Sequence, residues 1–141
     1  MPIYASDAQL YDCFQTLFSL IEAHDPKAAD ALLKASLAII FKCSMPTAAI
    51  TIDARRAPVQ LGYGQSDLKP TIEVELSADT LHCLLLGDIR LAKAIGSDLV
   101  NLKVPVWKAL TLGDIFHHAQ RLYPGVLRDY GLPATCPHLS G

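Results

Sequence analysis

The stretch of sequence that decides the fold is residues 70–104, which read PTIEVELSADTLHCLLLGDIRLAKAIGSDLVNLKV. Over residues 72–76, apolar side chains alternate with glutamates, which is the period of a strand with one apolar face. Ser77 or Asp79 can cap a helix that follows this strand, and Gly87 is a natural end for that helix. A second helix and a second alternating segment complete the stretch. It therefore predicts the order strand, helix, helix, strand.

Further elements are predicted on both sides of this unit. Ser6 and Gln9 have the spacing of a capping box, and Pro26 suits the first position of a helix capped by Asp25. Pro124 and Gly125 are expected to end a late helix, with a last short helix running to about residue 130. The periodicities predict helices at residues 6–23, 26–34, 80–87, 89–95, 106–112 and 115–123, and strands at 38–43, 50–53, 59–63, 72–76 and 100–104.

Most of the predicted strands have one polar face. We expect the polar residues to share one side of a single sheet, and they are Thr51, Asp53, Glu73, Glu75, Asn101 and Lys103. The helices should then cover the other side, while this side meets solvent or a partner. The predicted fold class is α+β, with one five-stranded, mixed, mostly antiparallel sheet and helices on one face.

Composition limits the kind of protein. The chain has 141 residues, of which 51% are hydrophobic and 18% charged, so it can bury one real core. A net charge of -2 argues against nucleic-acid binding, which needs a clustered basic face. No apolar run reaches the ~20 residues of a membrane span, and the start does not resemble a signal peptide. We expect one domain, with N-terminal helices in residues 1–34, a core in residues 35–130 and a flexible tail in residues 131–141.

The cysteines are far apart in sequence. Cys13, Cys43, Cys83 and Cys136 form no Cys-x-x-Cys pair. We interpret them as reduced thiols, which predicts a cytoplasmic protein.

Three pairs of residues could suggest a catalytic or metal site, but each has a simpler structural interpretation. His82 and Cys83 are adjacent on a predicted helix and point in different directions, which disfavours a thiolate–imidazole pair. Glu73 and Glu75 share a strand face, but nothing marks that face as a cleft. His117 and His118 are too few to make a metal site. We therefore predict no catalytic residue, no metal, no cofactor and no enzymatic activity.

The order of these elements resembles that of the sterol carrier protein 2 family of lipid-binding domains. The resemblance covers roughly residues 35–123. It is carried by Ser77-Ala78-Asp79-Thr80-Leu81, by Leu86-Gly87, by residues 99–104 and by Lys108-Ala109-Leu110. It implies that the fifth strand lies beside the first group of strands. It also implies a tunnel between sheet and helices for an acyl chain, isoprenoid or sterol-like molecule.

The resemblance implies a non-catalytic protein that binds or transfers lipid. The residues expected to line its tunnel are Leu85, Ile95, Leu102, Val104, Trp107, Leu110, Leu112 and Phe116. The alternative is an interaction module with a self-filled core, an accessory subunit in lipid or quinone metabolism that docks a protein partner on the open sheet face. A transient membrane contact through Arg55 and Arg56 is a further, weaker expectation.

Overall fold

The computed structural model describes residues 3–103 and 112–138. These residues form five helices and five strands. In chain order the elements are α1 Asp7–His24, α2 Pro26–Lys34, β1 Ala38–Ser44, β2 Ala48–Asp53, β3 Gln60–Tyr63, β4 Ile72–Ser77, α3 Ala78–Leu86, α4 Leu91–Gly96, β5 Val100–Leu102 and α5 Gly113–Asp129. The helix predicted at residues 106–112 lies outside the described residues, except for its last position.

The strands form one sheet in the order β3-β2-β1-β4-β5. Strands β1 and β4 are parallel, and the other neighbouring pairs are antiparallel. The predicted α+β class with a mixed, mostly antiparallel five-stranded sheet is confirmed. Strand β1 is central, which explains why its residues are apolar at consecutive positions.

The register assigns the side chains to two faces. Ile40 pairs with Thr51 on one side and Glu73 on the other, and Glu75 pairs with Asn101, so these residues share one face. The opposite face packs against helices, as the ring of Phe41 shows. Its centroid lies 6.5 Å from that of Phe14 in α1 and 6.2 Å from that of Phe116 in α5. The helices therefore cover one face, as predicted.

The predicted helix caps are mostly present. Ser6 Oγ accepts a hydrogen bond from the backbone N–H of Gln9, and Ser77 Oγ accepts one from Thr80. Gly87 ends α3 with a φ of 81°, in the left-handed region that glycine adopts without cost. Asp25 differs from the prediction, since its side chain makes no capping bond to α2.

Helix α5 continues through Pro124, where we expected a break. A proline inside a helix lacks the N–H that would bond four residues back, which normally costs stability. Here the turns after it carry Val126 and Leu127, both completely buried. Burial of these side chains favours one continuous helix over two.

The cysteine prediction is wrong for two residues. Cys83 and Cys136 form a disulfide, whereas Cys13 and Cys43 are free and buried. Cys83 and Cys136 are 53 residues apart in the sequence, and nothing in the sequence pattern indicated that they pair. The described part of the expected flexible tail, through residue 138, is held by this bond against α3.

Among the described residues, no helix combines the length and the apolar composition needed to cross a membrane.

Candidate functional site

The predicted tunnel residues do not share one environment. Leu85, Leu112 and Phe116 are buried in the core between sheet and helices. Ile95 on α4 and Leu102 on β5 are partly buried at its edge. The other predicted residues, Val104, Trp107 and Leu110, lie outside the described residues. The eight predictions therefore stay untested as a ligand-binding set.

An apolar cavity lies between α2 and α5. Its volume is about 150 Å³, below the roughly 300 Å³ at which ligand pockets usually begin. The described residues that line it are Ala28, Ala31, Leu32, Ala35, Leu37, Ile115 and His118. None of these was predicted as a binding residue, although Ile115 is next to Phe116 in the chain.

The sequence did contain a signal for this cavity. Ala28, Ala31 and Ala35 have the spacing of one helical face, and Ala28, the buried member, leaves space that a larger side chain would fill. Helix α2 is also loosely held, because only Ala28 and Leu32 of its nine residues are buried. Helix α2, which forms this wall of the cavity, is therefore less firmly anchored than α5.

A contact between a histidine and an aspartate borders the same cavity. His118 Nδ1 on α5 lies 2.7 Å from Asp25 Oδ2, at the start of α2. Both side chains are about one-third exposed, 30% and 37%, so the pair is accessible to water. The pair explains why Asp25 does not cap α2, and it joins the two helices that enclose the cavity.

The open face of the sheet carries a larger cleft of about 540 Å³. The connection from β3 to β4 must cross β2 and β1, and its residues Gly64, Gln65 and Ser66 border the cleft together with Ile40 and Thr51. Ile40 and Thr51 are buried although they lie on the face opposite the helices. The crossing segment therefore covers part of the face that the sequence suggested was open.

Polar groups on this face are mostly paired. Lys42 Nζ lies 3.1 Å from Glu73 Oε1, and Lys103 Nζ lies 3.8 Å from Glu75 Oε1. Thr51 is the exception, because its buried Oγ1 has no hydrogen-bond partner among the described residues. Because these charges are paired, this face has little net charge with which to attract an ionic ligand.

The two arginines expected near lipid head groups lie at a polar loop. Arg55 donates hydrogen bonds to both carboxylate oxygens of Asp53, each at 2.9 Å. This pair lowers the pKa of Asp53, first through the side-chain hydrogen bond. The positive charge of Arg55 is thus largely compensated within the loop.

A buried hydrogen-bond chain runs through His82, in the middle of α3. His82 Nε2 lies 2.9 Å from the carbonyl oxygen of Thr135, which can only accept, so Nε2 carries the proton. His82 Nδ1 then accepts a hydrogen bond from the Tyr123 hydroxyl at 2.6 Å. Tyr123 in turn accepts from the hydroxyl of Tyr4. Burial lowers the pKa of His82 and raises those of both tyrosines, so all three groups are neutral at pH 7.

No protein-family model matches the sequence, and no curated protein does either. Solved structures with a similar fold are found by structural comparison.

Sterol carrier protein 2 of Yarrowia lipolytica superimposes with a TM-score of 0.62 and 19% identity, covering 85% of this chain and 98% of that one. The sterol carrier protein domain 2 of Helicoverpa armigera gives a TM-score of 0.64 and 16% identity, covering 79% of this chain and 88% of that one. A ubiquinone synthesis protein, UbiJ-SCP2, gives a TM-score of 0.54 and 15% identity, covering 76% and 87%. The fold of this chain is that of the sterol carrier protein 2-like domains.

Proposed function

We propose that this protein binds or transfers a lipid-like molecule with an apolar chain, without catalysis, on the helix-covered side of its sheet. The observation that carries the proposal is the apolar cavity between α2 and α5, in a fold that solved sterol carrier proteins share. The ligand enters beside α2, and its chain extends from Ala28 and Ile115 towards Phe116.

The size of the cavity makes movement of α2 part of the proposal. A volume of about 150 Å³ holds only part of an acyl chain, so α2 must swing outward when the ligand binds. Its short length and its burial of only Ala28 and Leu32 keep the cost of this movement low. The Asp25–His118 pair is partly exposed and breaks at little cost when the helices separate.

The energetics are adequate for reversible binding. Burial of one methylene is worth about 0.8 kcal/mol, so a chain of sixteen carbons gains roughly 13 kcal/mol. Loss of translational and rotational freedom removes at least about 4 kcal/mol, and opening of α2 removes more. What remains corresponds to micromolar affinity, which is about 8 kcal/mol.

The test is a titration of a fluorescent fatty-acid analogue into the wild-type protein and into two variants. In each variant one alanine of α2 is replaced by leucine. Ala28 is buried in the cavity wall, and Ala28→Leu fills the cavity. We expect micromolar binding to the wild type, displacement by unlabelled lipid, and an affinity loss of about tenfold or more in Ala28→Leu. Ala29→Leu is the matched control, on the same helix but outside the described lining, and should bind like the wild type.

The proposal fails if acyl, sterol and isoprenoid probes all show no saturable binding. If Ala28→Leu and Ala29→Leu bind the probe with equal affinity, the cavity between α2 and α5 is not the binding site. Native mass spectrometry before and after organic extraction adds an independent reading, because a co-purified lipid appears as a mass that extraction removes.

A second candidate function is an accessory subunit whose core is filled by its own side chains. Two observations favour it: the tight packing of Phe14, Phe41 and Phe116, and a cleft of about 540 Å³ on the sheet face away from the helices. The likeness to a ubiquinone synthesis protein is compatible with such a role. Absence of probe binding, together with a native mass equal to that of the chain alone, would favour this candidate.

A further inference from the structure

Residues 131–138 form a segment that we call the C-terminal clasp, because it follows α5 and returns to α3. Its contacts with α3 fall on neighbouring residues. Cys136 is bonded to Cys83, the carbonyl of Thr135 accepts from His82, and His138 Nε2 lies 2.9 Å from the Thr80 hydroxyl. One covalent bond and two hydrogen bonds thus hold an irregular segment against the middle of α3.

Little of the clasp is buried. Cys136 is its one buried residue, while the remaining seven are exposed or partly exposed. Leu132 packs against the core and its backbone N–H bonds to Leu127, which ties the start of the clasp to α5. Segments with little buried surface and few hydrogen bonds open locally, without unfolding of the domain.

Groups that are costly to expose or leave unpaired lie under the clasp. Thr80 and His82 are 1% and 0% exposed, although both are polar. His82 joins the clasp to the tyrosine pair, since one ring nitrogen bonds to Thr135 and the other to Tyr123. Removal of the clasp would leave His82 Nε2 without its protein partner. It would also admit water to the hydrogen bonds between His82 and the two tyrosines.

We propose that the Cys83–Cys136 disulfide is a reducible latch, whose opening by a dithiol releases the C-terminal clasp from α3 while the sheet and the other helices stay folded. This switch is independent of the proposed lipid binding.

The reaction is a balanced exchange. A thiolate of the dithiol attacks one sulfur of the Cys83–Cys136 bond and forms a mixed disulfide, and its second thiolate then attacks that bond and leaves as a cyclic disulfide. Two electrons pass from the dithiol to the protein, and each cysteine ends as a thiol after taking up one proton. The reaction starts when local opening exposes Cys136, which is 4% exposed in the closed state.

The other thiols do not compete for this bond. Burial raises the pKa of Cys13 to about 11 and that of Cys43 to about 12, so both stay protonated and unreactive at neutral pH. The Cys83–Cys136 disulfide can therefore be studied without other thiols in the variant Cys13→Ala/Cys43→Ala. If that variant folds poorly, the same measurement is made on the wild type.

The experiment is hydrogen exchange measured by mass spectrometry, with and without dithiothreitol. On reduction we expect the peptide that contains residues 131–138 to exchange at least about tenfold faster, and peptides from β1 and β2 to keep their protection. Removal of dithiothreitol and addition of oxidised glutathione should restore the slow exchange. Cys83→Ser/Cys136→Ser should exchange rapidly in this segment under both conditions.

Two results would overturn the proposal. Unchanged protection of residues 131–138 after complete reduction would mean that the hydrogen bonds alone keep the clasp closed. Loss of protection in β1 and β2 at the same time would mean that the disulfide holds the whole domain together and is not a local latch. Mass analysis of alkylated protein verifies in each case that Cys83 and Cys136 were reduced.

Discussion

At the scale of single residues, Phe116 distinguishes a filled core from a ligand space. It is 5% exposed, and its ring meets Phe41 at a centroid distance of 6.2 Å and an interplanar angle of 65°. Edge-to-face pairs of this kind are favourable beyond the area that they bury. The described surroundings of Phe116 are therefore those of a core residue, next to a cavity that begins at Ile115.

We predict that Phe116→Ala lowers the free energy of unfolding by about 3–5 kcal/mol, through lost burial and a new cavity. Urea melts of the two proteins measure this difference. Phe116→Leu is the control, since it keeps much of the apolar volume and should cost less. A loss near 1–2 kcal/mol in the alanine variant would instead indicate that Phe116 already borders empty space before a ligand binds and α2 moves.

At the scale of elements, helix α5 contains both proline and glycine within its length, yet it is continuous. Gly125 follows Pro124, and a Cβ built at Gly125 has no atom within 4 Å. Glycine in a helix costs stability relative to alanine because it is more flexible in the unfolded chain. The helix therefore persists in spite of its local sequence, through the burial of residues such as Leu127.

We predict that Gly125→Ala stabilises the protein by about 0.5–1 kcal/mol. The matched control is Gly87→Ala at the end of α3, where φ is +81° and a Cβ would lie 2.5 Å from Gln120 Cδ. That variant should be destabilised, because alanine is strained at this φ and collides with α5. Thermal or urea melts compare both variants with the wild type. Destabilisation by Gly125→Ala would show that α5 needs flexibility after Pro124.

At the scale of the whole molecule, the buried chain through His82 links folding to pH. Burial lowers the pKa of His82 below 6.5, and this effect outweighs the opposing influence of its hydrogen bond to Thr135 and of Asp79 and Asp88. The unfolded chain takes up a proton near pH 6.5, whereas the folded chain does not. Acid therefore favours unfolding through this residue, and at a pH well above 6.5 its contribution no longer changes with pH.

We predict that stability falls as the pH decreases below 6.5, by at most about 1.4 kcal/mol per pH unit from this group. Urea melts at several pH values should show a steeper fall in the wild type than in His82→Gln, which cannot be protonated. The difference between the two proteins isolates His82 from the other histidines. Equal pH dependence in both would mean that folding does not lower the pKa of His82.

Sequence alone determined the features that depend on neighbouring residues. The alternation at residues 72–76, the serine caps at Ser6 and Ser77, and the glycine stop at Gly87 all appear in the structure where they were predicted. Each follows from the geometry of a few consecutive residues, which is why pattern reasoning could reach it. The sheet faces followed too, because side chains alternate along every strand. The strand order did not follow from the sequence: the family resemblance implied only that the fifth strand lies beside the first group, and in the structure β5 pairs with β4.

Tertiary structure alone decided the features that depend on residues distant in sequence. The Cys83–Cys136 bond, the chain from Tyr4 through Tyr123 to His82, and the cavity between α2 and α5 join segments that no local pattern connects. Continuity of α5 through Pro124 is a further case, where burial of the following turns outweighs the local cost of proline. Local propensities are worth a few tenths to about 3 kcal/mol per residue, and packing of a buried face can exceed them. The sequence could therefore predict the elements, whereas the candidate site depended on which of their faces the fold brings together.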